Sequence, residues 1–543
     1  MRDSLVTAVL FSGALAYYLS YAWSFPFNFG DEGYLYAVAG GVAHGLQLYR
    51  DIELNSYMPG LFFLFSLFSG TPGETLNASR ATMAVMLAFN VCLLYLITRA
   101  AGSRVMAIAV ALVLCLVPGP WYKAYQPTLW LALLGCAQQY FMTRRTAWLA
   151  ALGACTALGL YFRIEVSIAG FVMLALVLWL TRALHVDTSS SFTADTGVAF
   201  TGFVLTLLPL LTLLDADRIL ADYVTQLIEL PRHVGERIAG PYRLEAPGLW
   251  RLGHLSHGRT HAWLYWGAIL VPGLLVANTI WLAREARTDH ALRNELGLSL
   301  LALVWLAMNL PQYAWERPDP AHLAERLFAL LAATPIIVAP FIRQFGSSTS
   351  QPRRALSVVL ASVLISYFVA YLMIRHSGDI SGGYHRASFH PVLANGMKLP
   401  LSQPMQPLLE RIIADTSPND PIVALPYGPG FNVVTDRPFP SRQIYLFPFN
   451  TNPLVEANFI CALELKHVRY VLYNENFSLD RTERTRMSNY APRLHAYLKS
   501  HFAIDQGVDN WLLLRRTNTA QREEQSAGCA LKWPDELSPG PSR

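Results

Sequence analysis

Apolar runs close to the roughly 20 residues needed to span a bilayer recur from the start of the chain to about Arg375. The first extends from about Leu5 to Trp23, behind Arg2. Its length, and the lack of a clean small-x-small site after it, favour a spanning helix over a cleavable signal peptide. Further runs centre near Leu87, Val110, Leu134, Ala154, Leu174, Val204, Leu270, Ala302, Leu331 and Leu364, which predicts about eleven transmembrane helices. The stretch Pro59–Phe68 has only about ten apolar residues, too few to cross, and should lie along the outer surface or re-enter.

Basic residues set the expected orientation. Arg99 and Arg104, Arg144 and Arg145, Arg182, Arg284 with Arg287 and Arg293, and Arg343 with Arg353 and Arg354 all fall in turns on one side. The opposite loops, Pro118–Gln126 and Pro311–His322, carry few. Positive charge gathers on the cytoplasmic side, so the N-terminus is expected there. Three polar stretches then lie outside: Gly30–Pro59, Asp215–His261 and everything after about Arg375. The cytoplasmic turns hold no Gly-rich phosphate loop, which argues against ATP-driven chemistry inside. There is no internal repeat.

Beyond residue 374 the pattern changes. Pro421–Leu425, Val468–Tyr473 and Trp511–Leu514 are short apolar runs bounded by turn residues and read as buried strands. Helical stretches near Met405–Ala414 and Leu454–Leu465 accompany them. The expected architecture is therefore a polytopic α-helical membrane module over 1–374, with outer-surface juxtamembrane helices. A soluble outer α/β domain over 375–516 follows, and then a polar tail, 517–543, predicted to be disordered.

Composition supports lipid as the solvent. Hydrophobic residues make up 53% and charged residues only 15%, against about 25% charged in an ordinary soluble domain. Mean hydropathy is +0.30. The net charge of +5 is spread out, without the basic block that nucleic acid would demand. Of six cysteines, Cys92, Cys115, Cys136 and Cys155 lie in apolar runs; Cys461 and Cys529 are in polar sequence without metal-ligand spacing.

The first outer loop carries the most chemistry. Asp31 and Glu32 directly follow the first span and open a stretch in which Leu35, Val38, Val42 and Leu46 recur at helical spacing. That helix is expected in the membrane interface, apolar side down. Asp is also a favoured N-cap, and Glu in a first turn suits the helix dipole, so a capping role competes with a catalytic one.

Asp31-Glu32-Gly33, Tyr49-Arg50-Asp51 and Pro59-Gly60-Leu61 resemble the GT-C glycosyltransferases. The nearer likeness is to the bacterial branch of protein O-mannosyltransferases and lipid A aminoarabinose transferases. Leu425-Pro426-Tyr427 and Thr435-Asp436-Arg437-Pro438 are similar to the C-terminal domain of that branch. The resemblance implies a glycosyltransferase that moves a sugar from a polyprenyl-phosphate donor to an acceptor hydroxyl at the outer membrane face. It implies that Asp31 is the general base, with Glu32 its orienter or a metal ligand, and that Asp51, Asn55, Tyr57 and Asp319 line the substrate cavity. The aminoarabinose branch has a Glu-Lys pair shortly before the glycine that is Gly60 here, where this chain has Asn55 and Ser56. That departure leaves open both a divalent metal ion as cofactor and the lysine's phosphate contact.

A lipid-phosphate leaving group needs positive charge and hydrogen-bond donors. Three outer clusters offer them: Arg317 and His322 within Glu316–His322, Lys123 among Trp121, Tyr122 and Tyr125, and Arg163 beside Glu165. Each also fits an interfacial anchor, since basic and aromatic residues gather at headgroup level. A transporter would place its ionisable residues near the midplane, whereas here they collect at the outer ends. A lipid-linked glycan polymerase or ligase is the nearest enzymatic alternative. The expected partners are the lipid-phosphate sugar, a glycan, lipid or protein acceptor, and membrane lipids.

The orientation is checked by cysteine accessibility labelling. A cysteine at Ser441 should react with an impermeant reagent from outside the cell, and one at Ser348 should not.

Overall fold

The computed structural model describes residues 2–22, 27–54, 58–68, 72–116, 121–184, 191–225, 227–228, 258–310, 326–346, 405–478 and 485–517. In chain order the helices are α1 (Arg2–Ala22), α2 (Asp31–Ala43), α3 (Gly60–Ser66), α4 (Pro72–Ala101), α5 (Arg104–Leu116) and α6 (Tyr125–Thr143). There follow α7 (Thr146–Phe162), α8 (Ile164–Leu184), α9 (Phe192–Ala216), α10 (Gly258–Glu285), α11 (Arg293–Asn309) and α12 (Leu327–Gly346). The C-terminal part holds α13 (Gln406–Asp415), β1 (Val423–Leu425), α14 (Gly430–Thr435), α15 (Pro453–Leu465) and β2 (Tyr470–Tyr473). It ends with α16 (Met487–Tyr490), α17 (Pro492–His501), β3 (Phe502–Val508) and β4 (Trp511–Arg516). The chain divides into two compact units, neither continuous in sequence.

The first unit comprises Met1–Ala22, Arg80–Leu213 and Ile238–His385. Nine of the predicted span centres, from Leu87 to Leu331, lie inside helices; Leu364 is outside the described residues. By length and composition, four described helical stretches can cross a membrane: Asp3–Ser20, Leu76–Ala101, Ile164–Leu184 and Phe192–Ala216. Three apolar helical stretches are shorter: Arg104–Leu116, Thr146–Phe162 and Leu327–Pro340. The molecule is a multi-pass helical membrane protein; the count of about eleven spans is not reached among the described residues. Helix α3, with seven residues, rises only about 10 Å, too little to cross.

Polar contacts within this unit tie arginine-bearing turns to neighbouring helix ends. Asp3 accepts from the Arg104 Nε at 2.9 Å and the Tyr95 hydroxyl at 2.8 Å, and its carboxylate lies 3.5 Å from the Arg99 Nε. The start of α1 and the α4–α5 turn therefore share an end. Asp195, 1% exposed, accepts from the Tyr140 hydroxyl at 2.9 Å and from Arg182 at 3.1 Å. That brings the α6–α7 turn, the end of α8 and the start of α9 together in the same way. A large apolar cluster fills much of the interior, and where Trp130 and Trp305 meet, the Trp305 indole donates to the Trp130 carbonyl at 2.8 Å.

The second unit joins Trp23–Ser79 and Leu214–Arg237 to Arg386–Arg543. Its sheet has the order β1-β2-β4-β3, with β1 and β2 parallel and the other pairs antiparallel. The predicted strands appear as β1, β2 and β4, and both predicted helices as α13 and α15. Asn452 starts α15 by accepting from the Leu454 and Val455 amides, with Pro453 in the first turn. Strand β3 reads Phe-Ala-Ile-Asp-Gln-Gly-Val and is largely exposed. An edge strand needs no apolar alternation, so its sequence gives little sign of it. Val423, Leu425, Phe459, Leu463, Val471, Leu498 and Leu514 belong to the core of the sheet and its helices.

Helix α2 departs from expectation. Leu35 is 3% exposed and Val38 is fully buried, so this part of the face is covered by protein, whereas Val42 is half-buried and Leu46, past the helix end, is exposed. Tyr34, Leu35, Tyr36, Val38 and Ala39 are all buried, which makes the helix apolar around most of its circumference, the mark of an interior helix.

Arg437 explains the Thr-Asp-Arg-Pro motif as a structural clamp. Its guanidinium, 7% exposed, donates to the Thr416 hydroxyl at 2.9 Å and to the carbonyls of Thr416 at 2.6 Å, Thr435 at 2.7 Å, Asp436 at 3.2 Å and Ile413 at 3.4 Å. It thereby ties the end of α14 to the end of α13. Arg437→Met should lower the stability of this unit by about 3 kcal/mol, because buried carbonyls lose a charged donor. Arg437→Lys should recover only part, lacking the fork. Thermal unfolding of the detergent-solubilised protein measures both.

Candidate functional site

The acidic pair sits at the start of α2. The N-cap position is Gly30, with no side-chain cap bond, and Asp31 is the first helical residue. Asn28 does the capping instead. Its Oδ1 accepts from the Gly30 amide at 2.9 Å and the Asp31 amide at 3.1 Å, while the Glu32 Oε2 accepts from the Asn28 amide at 3.2 Å. This is the reciprocal logic of a capping box. Glu32 is fully buried, and its Oε1 accepts from the Tyr36 hydroxyl at 3.0 Å. The capping competitor for Asp31 therefore fails, and the capping work falls to its neighbours.

Asp31 is partly exposed, and its Oδ1 accepts from the Tyr427 hydroxyl at 2.7 Å. Close backbone packing in the same unit makes this contact possible. A Cβ on Gly33 would stand 2.3 Å from the Gly430 Cα and 2.4 Å from its nitrogen, so α2 meets α14 backbone to backbone. A Cβ on Gly430 would stand 2.6 Å from the Phe27 ring and 2.7 Å from the Phe29 Cα. The Gly430 amide donates to the Phe29 carbonyl at 2.8 Å, and Phe29 stacks on Phe431 at 4.2 Å. The segment Tyr427-Gly428-Pro429-Gly430 is thus the seat of the acidic helix start.

The Tyr49-Arg50-Asp51 motif is a turn. Tyr49 has φ of +66°, and its amide donates to the Ile52 carbonyl at 2.8 Å. The Asp51 Oδ2 accepts from the Gln47 amide at 2.8 Å, closing the turn on the surface. Burial pushes the Tyr49 hydroxyl well above the usual phenol range. Arg442 donates to the Tyr49 carbonyl at 2.9 Å, and the Gln443 amide group to the Glu53 carboxylate at 2.8 Å, so this turn too is bound to the C-terminal segment.

In the first unit, Lys123 ends a short 3₁₀ turn, with its ammonium 5.7 Å from the centre of the Tyr122 ring. Arg163 stands in extended backbone between α7 and α8 and pairs with Glu165. Arg326, 2% exposed, acts electrostatically on Glu165, a partner that sequence reading did not single out. Asn55, Tyr57, Arg317, Asp319 and His322 lie outside the described residues. Among the described residues, no three His, Cys, Asp or Glu side chains converge as a metal would require. The Glu32 oxygens accept from Asn28 and Tyr36.

No family model matches the chain, and no curated protein sequence matches it. Solved structures do. The apo form of the Archaeoglobus fulgidus oligosaccharyltransferase is 14% identical with a TM-score of 0.51, covering 93% of this chain and 74% of that one. Its complex with zinc and sulfate is 13% identical with a TM-score of 0.50, covering 94% and 73%. The archaeal oligosaccharyltransferase AglB from the same organism, in complex with an inhibitory peptide and a dolichol-phosphate, is 13% identical with a TM-score of 0.51, covering 97% and 77%. Identities this low speak for the fold alone: the chain shares the overall fold of these proteins.

Gly33→Ala tests the seat of the helix. With backbone on the far side of the contact, α2 must shift, and a loss of about 2–3 kcal/mol is expected. Faster limited proteolysis of the folded protein in the Tyr49–Leu54 region, relative to wild type, is the measurement.

Proposed function

We propose that this GT-C-fold chain is a glycosyltransferase that uses a polyprenyl-phosphate-linked sugar, of the O-mannosyltransferase and aminoarabinose-transferase kind, with Asp31 as its general base. The observation that carries the reading is the pair of neighbouring carboxylates in opposite settings. Glu32 is buried and committed to capping, whereas Asp31 is partly exposed and accepts a hydrogen bond from the Tyr427 hydroxyl. A partly exposed carboxylate that does not cap its own helix can serve as a proton acceptor. The fold adds support, since one similar structure holds a dolichol-phosphate and an inhibitory peptide.

In the proposed reaction the acceptor hydroxyl attacks the anomeric carbon of the donor sugar. As that C–O bond forms, Asp31 takes the hydroxyl proton. The bond from the anomeric carbon to the phosphate oxygen breaks, and polyprenyl phosphate leaves with the electron pair. Arg317 and His322, with Lys123 and Arg163, are the proposed donors to that phosphate, and the buried Arg326 adds positive charge beside Arg163 and Glu165. Asp51, Asn55, Tyr57 and Asp319 stay as proposed cavity residues. The acceptor is a lipid, a glycan or a protein.

Chemistry at the outer face of the cell membrane, with a cytoplasmic N-terminus, completes the proposal. Cys461 in the second unit is disulfide-bonded, and such bonds persist in oxidising compartments outside the cytosol. The distribution of arginines along the sequence supports the same orientation.

Mass spectrometry of envelope lipids and glycans should show one sugar substituent missing when the gene is deleted and restored by the wild-type gene. Asp31→Asn keeps the size of the side chain, so the protein should accumulate normally while transfer falls by about two to four orders of magnitude, the usual worth of a positioned base. Full restoration by well-expressed Asp31→Asn protein would assign the base to another carboxylate.

A further inference from the structure

The hydroxyl that meets Asp31 comes from the far end of the chain. Tyr427 lies 396 positions later, on the loop between β1 and α14. Its ring is held from several sides. Tyr445 packs against it edge-on at 5.4 Å and Phe447 at 5.0 Å. On the α2 side, a Cβ on Gly30 would stand 2.7 Å from the ring, so only a glycine leaves it room there. The backbone is pinned as well: the Leu446 amide donates to the Pro426 carbonyl at 3.0 Å and the Gly430 amide to the Phe29 carbonyl. None of these contacts uses the phenol oxygen. Tyr34 and Tyr36, by contrast, place their hydroxyls on the Leu54 carbonyl and on buried Glu32, where each does structural work.

We propose that Tyr427 is the positioning residue of this site: a rigid aromatic post whose hydroxyl donates to the Asp31 Oδ1 and fixes the rotamer of the carboxylate that receives the acceptor's proton. This rests on the reading of Asp31 as the base. Asp31 is partly exposed and its side chain does not cap its helix, so a strong, charge-assisted bond from a ring packed on several sides bears directly on where its oxygens point. A base that must be found in the right place at the moment of attack loses rate when it can rotate away. Tyr427 itself neither takes nor gives a proton in the cycle; the proton ends on Asp31, and the phenol continues to donate.

The test is a double-mutant cycle with purified full-length protein. The probe is membrane vesicles from the deletion strain, which retain the native donor and acceptor, and the added sugar is followed by mass spectrometry. Tyr427→Phe keeps the ring and its packing and removes only the hydroxyl. The initial rate at saturating vesicles should fall about ten- to a hundredfold, the worth of a hydrogen bond to an ionised carboxylate. The vesicle concentration giving half the maximal rate should not change. Asp31→Asn combined with Tyr427→Phe should be no slower than Asp31→Asn alone, because a residue that acts through the base has nothing left to act on. Losses that multiply in the double variant overturn the positioning role and leave the base reading intact. So does a Tyr427→Phe protein with a wild-type rate per folded molecule. A fully active Asp31→Asn protein overturns both.

Discussion

Much of the second unit follows from one contact in which no side chain stands between two backbones. Gly33 on α2 and Gly430 at the start of α14 meet so closely that neither position has room for a β-carbon. Packing of this kind fixes a distance far more tightly than side chains can, because backbone atoms cannot choose another rotamer. The Phe29–Phe431 stack, the amide bond from Gly430 to Phe29 and the reach of Tyr427 to Asp31 are all geometrically downstream of it. The glycines carry no chemistry themselves. They set the spacing at which chemistry can be assembled from two remote stretches of chain.

Two adjacent carboxylates show how far environment separates residues of the same type. Asp31 and Glu32 share a helix turn, yet one is partly exposed and the other sealed inside with donors to both its oxygens. Because successive helical residues point about 100° apart, a single helix start can offer one acid to the interior and the next to the surface. Asn28 completes the division by taking over the cap. The first unit uses its buried acid differently: Asp195 joins three helix ends through a tyrosine and an arginine, a paired charge where an unpaired one would be costly.

Sequence reading succeeded where the signal is local and periodic. Long apolar runs marked the helices of the first unit, and short ones marked β1, β2 and β4. The same reading failed for β3, whose exposed edge position imposes no pattern, and for Leu35 and Val38 on the face of α2. Leu35, Val38 and Val42 recur at helical spacing whether the face meets lipid or protein, and sequence alone does not say which. The acidic pair and the Leu-Pro-Tyr motif were both legible as separate features. Their contact was not, since hydrogen bonds across such a separation leave no spacing rule. The one available hint was the pairing of small residues, Gly33 after the acids and Gly430 after the tyrosine, since close backbone approach demands glycine on both sides. Arg437 shows the reverse case: a motif that suggested function and proves to be a clamp on carbonyls.

The 396-residue interval between Asp31 and Tyr427 has a consequence for the protein's birth. Chains are made at about 5–20 residues per second, so the acidic helix start emerges roughly 20–80 s before the tyrosine that meets it. During that time α2 has no α14 to dock on, and its tyrosine- and leucine-rich surface must be sheltered by lipid or by an assembly factor. Contacts of such long range also close slowly, since the intervening chain must be ordered first. A ribosome that stalls before Tyr427 would therefore release a membrane-inserted protein whose acidic loop never found its seat. Such a fragment would leave exposed an apolar helix that the folded unit buries.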